Sequence, residues 1–495
     1  MVIRESDRMK TGVARGTIYG AFANGAFLVS GYVIHFWLGR HLGPEDYGIF
    51  GVVIGLMTTM NTFLTTGLPL GASKYIAEDN TRLGSIIRNA NRIQFILALL
   101  LFILYFGLAG FIADLLNDSS LTSYIRISAL CLPAYAFFSV YRHGYLNGMK
   151  YLDKQAIAFV SHSVLKVGMV FVLVLLGFGV KGAILGYFIA TLGAFFVAWK
   201  LLGRVQKTNS FFGWQKLLKF GLPATLFFTL SIFAGQVSLF AIKTMGANEL
   251  QSGYYTSSIT VAKLSTVLIG GLVVALFPAI SSSIAMNDIL QTQSYIRKSM
   301  RYVLMLILPM VLLISATSSE LLTLVYSSTY QEADTTLSIL VFGVGCMAFF
   351  GLFSNIIMGS GKPGIALGMI IPMVILEILL NILLVPEYDM EGAAWAHTIT
   401  GIAGMCAAAV YILRKFKVLI SITSFFRVAL SSLVIYAIAS QISISSSALP
   451  FVYAALLALY GLLLLASREL NKKDWQMFKT VLPMERFTGS DDTAP

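Results

Sequence analysis

The sequence predicts an all-α polytopic membrane protein: 14 transmembrane helices in two pseudo-symmetric six-helix bundles, with two further C-terminal helices, around a central cleft. Three observations carry that prediction. Of 495 residues, 57% are hydrophobic and only 12% are charged, against about 25% charged in a soluble domain; the mean hydropathy is +0.80. The apolar residues fall in runs of about 20, the length a helix needs to cross a bilayer. Read as fourteen spans, the chain places 29 of its 35 Lys and Arg on one side, the asymmetry that marks a cytoplasmic face.

The spans follow in order. Residues 16–38 and 48–70 flank a short loop at Gly43-Pro44, and 93–113 and 122–141 flank an acidic turn with Asp114 and Asp118. Residues 156–178 and 182–202 complete the first bundle, 1–205. The linker 206–217, with Phe211, Phe212 and Trp214 beside Lys207 and Lys216, reads as an interfacial amphipathic stretch. Residues 218–241, 253–278, 302–318, 336–358, 364–385 and 392–413 make the second bundle, 218–415. Residues 426–445 and 449–467 lie in the appended region 416–467, and 468–495 form a polar, basic tail. Both termini are expected in the cytoplasm of a multi-pass plasma-membrane protein. The first apolar run is long enough to span and stay, so no cleavable leader is expected. Pro223, Pro278, Pro309 and Pro372 interrupt spans, where proline bends a helix.

The charge of +12 sits between hydrophobic runs, so it belongs to loops at a membrane rather than to a nucleic-acid surface. Cys131, Cys346 and Cys406 lie far apart in apolar runs and are expected to be buried and unpaired. No phosphate loop, metal-ligand cluster or soluble catalytic domain is present, so neither ATP use nor a cofactor is expected.

The chain repeats weakly. Gly148 matches Gly359 at an offset of 211, Lys181-Gly182-Ala183 matches Glu391-Gly392-Ala393 at 210, and Gly43 aligns with Gly246. Two halves with an even number of spans enter from the same side, so their axis runs along the membrane normal and a cleft lies between them.

Ionisable groups at membrane depth cost about 3 kcal/mol or more and face a cavity or a partner. Lys166 and Lys263 lie in spans, and His162 shares a helical face with Lys166. Glu377 falls at the repeat position of Lys166. Two readings stand: the cations line the cleft and hold an anion, or one of them pairs with Glu377 and ties the bundles together, with Glu377 also a coupling site. Arg126 either reaches an outer cavity or extends to headgroups. Gln236, Asn355 and Asn381 hydrogen-bond a ligand in the cleft or neighbouring helices; His35 and His397 read as structural.

The stretch Leu38-Gly39-Arg40-His41-Leu42-Gly43-Pro44-Glu45-Asp46-Tyr47-Gly48-Ile49-Phe50, followed by Gly67-Leu68-Pro69, Ser73-Lys74-Tyr75-Ile76-Ala77-Glu78 and Asn147-Gly148, resembles the polysaccharide-transporter (oligosaccharide flippase) family. That family belongs to the superfamily that also holds multidrug-and-toxin extruders and the lipid II flippase. The resemblance implies a flippase, not an enzyme, moving a prenyl-pyrophosphate-linked oligosaccharide to the outer leaflet by alternating access. It implies coupling to Na+, H+ or the membrane potential, and as partners the lipid-linked sugar, membrane lipids and polysaccharide assembly proteins, around a monomer. It also adds Arg15 as a first pyrophosphate contact and Asn24 and Asn61 as cleft residues. A cation-coupled multidrug exporter, or a membrane-embedded glycan enzyme, is the competing expectation.

Overall fold

The computed structural model describes residues 2–205, 212–245, 249–267, 269, 280–284, 286–442 and 445–470, with side chains from Gly16 onward except at Thr17, Asn80 and Phe220. Residues 206–211 of the linker, Pro278 and the tail from 471 lie outside that set. The described secondary structure is entirely helical. In hydrocarbon a chain must satisfy its backbone groups within itself, and a helix does so segment by segment.

The first helix, α1, runs over Val2–Thr65. At 1.5 Å per residue its 64 residues would extend about 96 Å, far beyond a bilayer. Gly43 breaks it with φ 79°, a conformation open mainly to glycine, and Pro44 starts the next limb. Two other long stretches fold back in the same way. Helix α7 (Leu152–Leu173) passes through the turn Val174–Phe178 into α8 (Gly179–Leu202), with Gly177 and Gly179 at positive φ. Helix α14 (Pro363–Phe416) reverses at Asp389, φ 47°. Ten stretches are long and apolar enough to cross a membrane, three of them for two crossings. With α10 (Glu249–Ala262) these account for the fourteen predicted spans, span eight only in part. The chain is an all-α, multi-pass membrane protein.

Several boundaries differ from expectation. Helix α2 (Gly67–Glu78) carries the second crossing on past residue 70. Span four is assembled from α5 (Leu121–Ala129), α6 (Cys131–Ser139) and a π-helical segment, Val140–Leu146. Helix α11 (Ile289–Ala316) begins well before residue 302, because the Asp288 side chain caps it by accepting from the Gln291 N–H at 2.9 Å. Arg297, Lys298 and Arg301 therefore ride on a helix, not in a loop. Of the cysteines, all free, only Cys131 is buried; Cys346 is half-buried and Cys406 is exposed. Helices of a membrane protein point apolar residues outward, so an apolar run does not imply burial.

The C-terminal helices α15 (Ile422–Gln441) and α16 (Leu449–Ala466) dock on α11 and on each other. Buried Glu469 bonds Arg301 at 2.7 Å and lies 3.5 Å from Arg427, and Tyr460 donates to the Met305 carbonyl at 2.9 Å.

The two halves meet along the second limb of α1 and its continuation α2. Near one end, Gly48 lies so close to α10 that a Cβ there would sit 2.7 Å from the Gly253 nitrogen; one on Gly253 would sit 2.7 Å from the Pro44 carbonyl carbon. Near the other, a Cβ on Gly221 of α9 (Trp214–Thr244) would lie 2.6 Å from the Gly67 carbonyl carbon. Only glycine allows such backbone approach.

Substituting Gly253→Val should therefore wedge the halves apart and lower stability by about 1–3 kcal/mol, read as a fall in melting temperature in detergent. Gly235→Val is the control, because a Cβ there has nothing within 4 Å.

Candidate functional site

Between the two glycine crossings the halves do not fill the space. A chamber of about 490 Å³ remains, within the usual range of ligand pockets. Its walls are Phe27, Tyr32 and His35 on the first limb of α1, Gly51 to Thr65 on the second, Tyr135, Lys166 and Tyr187 from α6, α7 and α8, and Gln236, Thr256, Thr260 and Lys263 from the second half. Among the described residues the lining holds two lysines and no carboxylate.

Lys166 is 3% exposed, with its ammonium 4.3 Å from the Phe27 ring centre and 5.5 Å from that of Tyr187. Aromatic faces attract a cation but do not neutralise it. Lys263 opens the 3₁₀ turn Lys263–Thr266 where α10 ends, and its exposed side chain faces the chamber. Among the described residues neither lysine has a carboxylate within ion-pair distance.

The uncharged walls present acceptors. The Thr62 hydroxyl donates to the Thr58 carbonyl at 2.8 Å and Thr260 to Thr256 at 2.7 Å, so each keeps its oxygen lone pairs for an incoming donor. Asn61 is 7% exposed and its side-chain oxygen is without a partner. At one end of the chamber His35 Nδ1 lies 2.9 Å from the Tyr47 hydroxyl, Tyr47 lies 3.0 Å from the Tyr326 hydroxyl, and Tyr330 donates to the Gly39 carbonyl at 2.8 Å. The last two of these bonds join the halves.

Of the residues singled out in sequence, the chamber gathers Asn61, Lys166, Lys263 and Gln236. His162 lies behind the wall: it is 1% exposed, 3.1 Å from the Thr191 hydroxyl and stacked against Phe27 and Phe138. Asn24 is exposed and donates to the Gly20 carbonyl of its own helix at 2.8 Å; Asn355 does the same to Gly351 at 2.9 Å. Arg126 is exposed, with its guanidinium 5.5 Å from the Phe106 ring. The Arg15 side chain lies outside the described residues.

Glu377 is completely buried within the second half, where it bonds His397 Nδ1 at 2.7 Å and accepts from Ser238 at 3.4 Å. Asn381 donates to the Ser238 hydroxyl at 3.1 Å. The inter-bundle pair of Glu377 with Lys166 or Lys263 is not formed here; the acid and the cations occupy different compartments. The second oxygen of Glu377 and the side-chain oxygen of Asn381 have no partner.

Sequence reasoning read His35 as structural, whereas it lines the chamber, and passed over the aromatic walls Tyr32, Tyr135 and Tyr187, since aromatic residues in apolar runs usually serve the core. The hydroxyl stripe Thr58, Asn61, Thr62 and Thr65 was legible, as its spacing puts it on one helical face.

At the end of the molecule poor in Lys and Arg, a second set of bonds crosses between the halves. Lys243, at the end of α9, lies 2.8 Å from Asp118 of the first half and 2.8 Å from Glu249. Asn117 donates to the Thr244 carbonyl, and Arg40 to the Leu324 carbonyl and, at 2.9 Å, to that of Val325.

A family profile described as polysaccharide biosynthesis protein matches residues 37–335. The chain is 24% identical over 416 residues to an uncharacterised membrane protein of Methanocaldococcus jannaschii, covering 77% of this chain and 94% of that one. It is 22% identical over 346 residues to stage V sporulation protein B of Bacillus subtilis, covering 63% and 67%. Among solved structures, the lipid II flippase MurJ in an inward closed conformation superposes with a TM-score of 0.72, at 14% identity over 92% of this chain and 99% of that one. A multidrug resistance MATE family transporter of the MOP superfamily, inward-facing, gives 0.69 at 18% identity, over 79% and 95%. At such identities the likeness establishes the fold.

An unpaired, buried ammonium is a burden on stability. Lys166→Met should leave the protein at least as stable as the parent, by a gain of about 1 kcal/mol, seen as an unchanged or higher melting temperature in detergent. A clear loss would mean that Lys166 has a structural counter-charge.

Proposed function

From the chain's membership of the polysaccharide biosynthesis protein family, and its fold shared with the MOP-superfamily transporters, we propose that it is a flippase for a prenyl-pyrophosphate-linked oligosaccharide. The observation that carries this reading is the acid-free chamber with two unpaired lysines between the halves. A pyrophosphate headgroup brings the negative charge those lysines lack, and its sugars bring hydroxyl donors for Thr62, Thr260 and Asn61. The prenyl tail prefers to stay in lipid, so only the head needs shelter.

The Lys- and Arg-rich end is the cytoplasmic one in this reading, and both termini lie there, with the protein in the plasma membrane as a monomer among its lipids and the assembly proteins that use its product. The bonds of Lys243, Arg40 and the tyrosines then form an outer latch. Alternating access breaks the latch as the glycine crossings pivot, carrying the head from one leaflet to the other. The buried Glu377–His397 pair, in contact at 2.7 Å within the second half, is the coupling element, to protons or to another cation.

A cation-exporting drug pump of the same fold is the alternative. Cationic drugs call for a carboxylate in the chamber wall, which the lining here does not offer. A glycan enzyme is a further alternative, and the flipping assay excludes it if no sugar bond is broken.

In proteoliposomes carrying a prenyl-pyrophosphate oligosaccharide, the protein should expose the sugar to an external lectin. The double variant Lys166→Gln with Lys263→Gln should lower that rate at least tenfold at equal protein content; an undiminished rate rejects the chamber as the pyrophosphate site.

The latch has its own signature. Burial pushes the Asp118 carboxyl up, but the Lys243 ammonium outweighs it, and hydrogen bonding to Lys243 draws Glu249 down, so both end below their ordinary values. A carboxyl lowered in the closed state stabilises that state above its ordinary pKa, and the contribution is lost as pH falls through the lowered value. The latch should therefore hold unchanged from pH 5 to 8, with ordinary carboxylate values of about 4, and weaken only in stronger acid. Lys243→Met should raise the labelling of a cysteine placed at Thr260 by an impermeant thiol reagent added from outside.

A further inference from the structure

The first half contains a cation that the chamber does not use. Arg142 lies in the π-helical segment that prolongs α6, a kind of segment often found at functional sites. It is 5% exposed and has no carboxylate partner among the described residues; its Nε has no acceptor, and its polar contact is with the neighbouring His143 ring. Its guanidinium carbon lies over the Phe159 ring, 3.4 Å from the ring centre, with the Phe138 ring centre at 5.8 Å.

Two facing stripes produce this arrangement. Tyr135, Phe138 and Arg142 recur at helical spacing on one element, and Phe159, His162 and Lys166 on α7 opposite. Phe27 of α1 closes the front: it stacks on Phe159 at 4.6 Å and on His162 at 6.0 Å, and carries the Lys166 ammonium on its ring. The result is a continuous stack of Arg142, Phe159, Phe27 and Lys166. Phe159 and Lys166 are seven residues apart on α7, about 10 Å along the axis. Arg142 thus lies one level below Lys166, toward the Lys- and Arg-rich end, with the Phe159 and Phe27 rings between the two cations. One turn before Phe27, α1 adds Ala23 to this cluster.

The geometry points to a second anion subsite at Arg142, which takes the phosphate group of the same lipid-linked substrate before it reaches Lys166 and Lys263. This rests on the reading of the chamber given above. A guanidinium held by aromatic rings and the His143 nitrogens, with no anion beside it among the described residues, is charged, desolvated and unanswered. An anion arriving when Phe27 and the inner limb of α1 swing away supplies the missing partner, and the planar fork of arginine suits a phosphate. When the anion moves on to Lys166, Phe27 returns and the rings again cover the guanidinium.

The test uses the full-length protein in phosphatidylcholine nanodiscs, with farnesyl diphosphate and the uncharged farnesol as paired probes. Arg142→Gln should weaken farnesyl diphosphate binding about tenfold or more, the range for losing charge-assisted hydrogen bonds, and leave farnesol binding unchanged. Arg142→Lys, which keeps the charge but not the fork, should fall between, and it carries the test if Arg142→Gln does not fold. Equal weakening of both probes makes Arg142 a structural residue and overturns the proposal, as does undiminished diphosphate binding in both variants. Parent protein that takes up farnesol but no diphosphate rejects the chamber reading itself, and this subsite with it.

Discussion

The architecture depends on how closely two backbones can approach. The limb from Pro44 to Glu78 meets the second half at Gly48 and Gly253, and again at Gly67 and Gly221, with no side chain between. Nineteen residues separate Gly48 from Gly67, about 28 Å of helix, nearly the thickness of the hydrocarbon core. Because the halves are held at those two depths, the space between has to remain open, and the hydroxyl stripe of the same limb lines it. A methyl group at either crossing would change the width of the chamber, however far it stood from Lys166.

Charge is distributed by compartment. Acids that are buried have partners: Glu469 has Arg301 and Arg427, Glu377 has His397, Asp118 has Lys243. Among the described residues the buried charges without a carboxylate partner are positive, Lys166 in the chamber and Arg142 below it, while Lys263 faces the chamber unpaired. A protein selected only for stability would pair or discard such groups, since a lone buried charge costs far more than the hydrophobe that could replace it. Their retention is most simply understood as complementarity to an anion that is present for only part of a cycle.

The two ends differ in the nature of their closure. At the Lys- and Arg-poor end, ion pairs and hydrogen bonds from Lys243, Arg40, Asn117, Tyr47 and Tyr330 cross between the halves. Both ends have a glycine crossing, Gly48 with Gly253 at this end and Gly67 with Gly221 at the other, where Asn89 donates to the Phe212 carbonyl at 2.7 Å. Directional bonds must be broken together and give a discrete latch, whereas backbone contact allows pivoting.

Much of the fold was legible in the chain itself. Run length and the distribution of lysine and arginine are one-dimensional properties, set by bilayer thickness and the cost of carrying charge across it, and they yielded the crossings and the all-helical class; the family resemblance came from the motif Leu38–Phe50 and the short stretches that follow it. The same cost marked Lys166, Lys263 and Glu377 as exceptional. What the sequence alone could not decide is which of these groups share a space. Lys166 and Glu377 stand at equivalent repeat positions, yet one opens on a chamber and the other bonds His397 twenty residues on, because pairing depends on rotation and tilt between helices far apart in the chain. His162 falls behind the wall for the same reason, and Arg142, counted as a loop cation by its position at the end of a span, is drawn inside by a π-helical turn. Tertiary packing alone makes an interior from residues that hydropathy can only rank by depth.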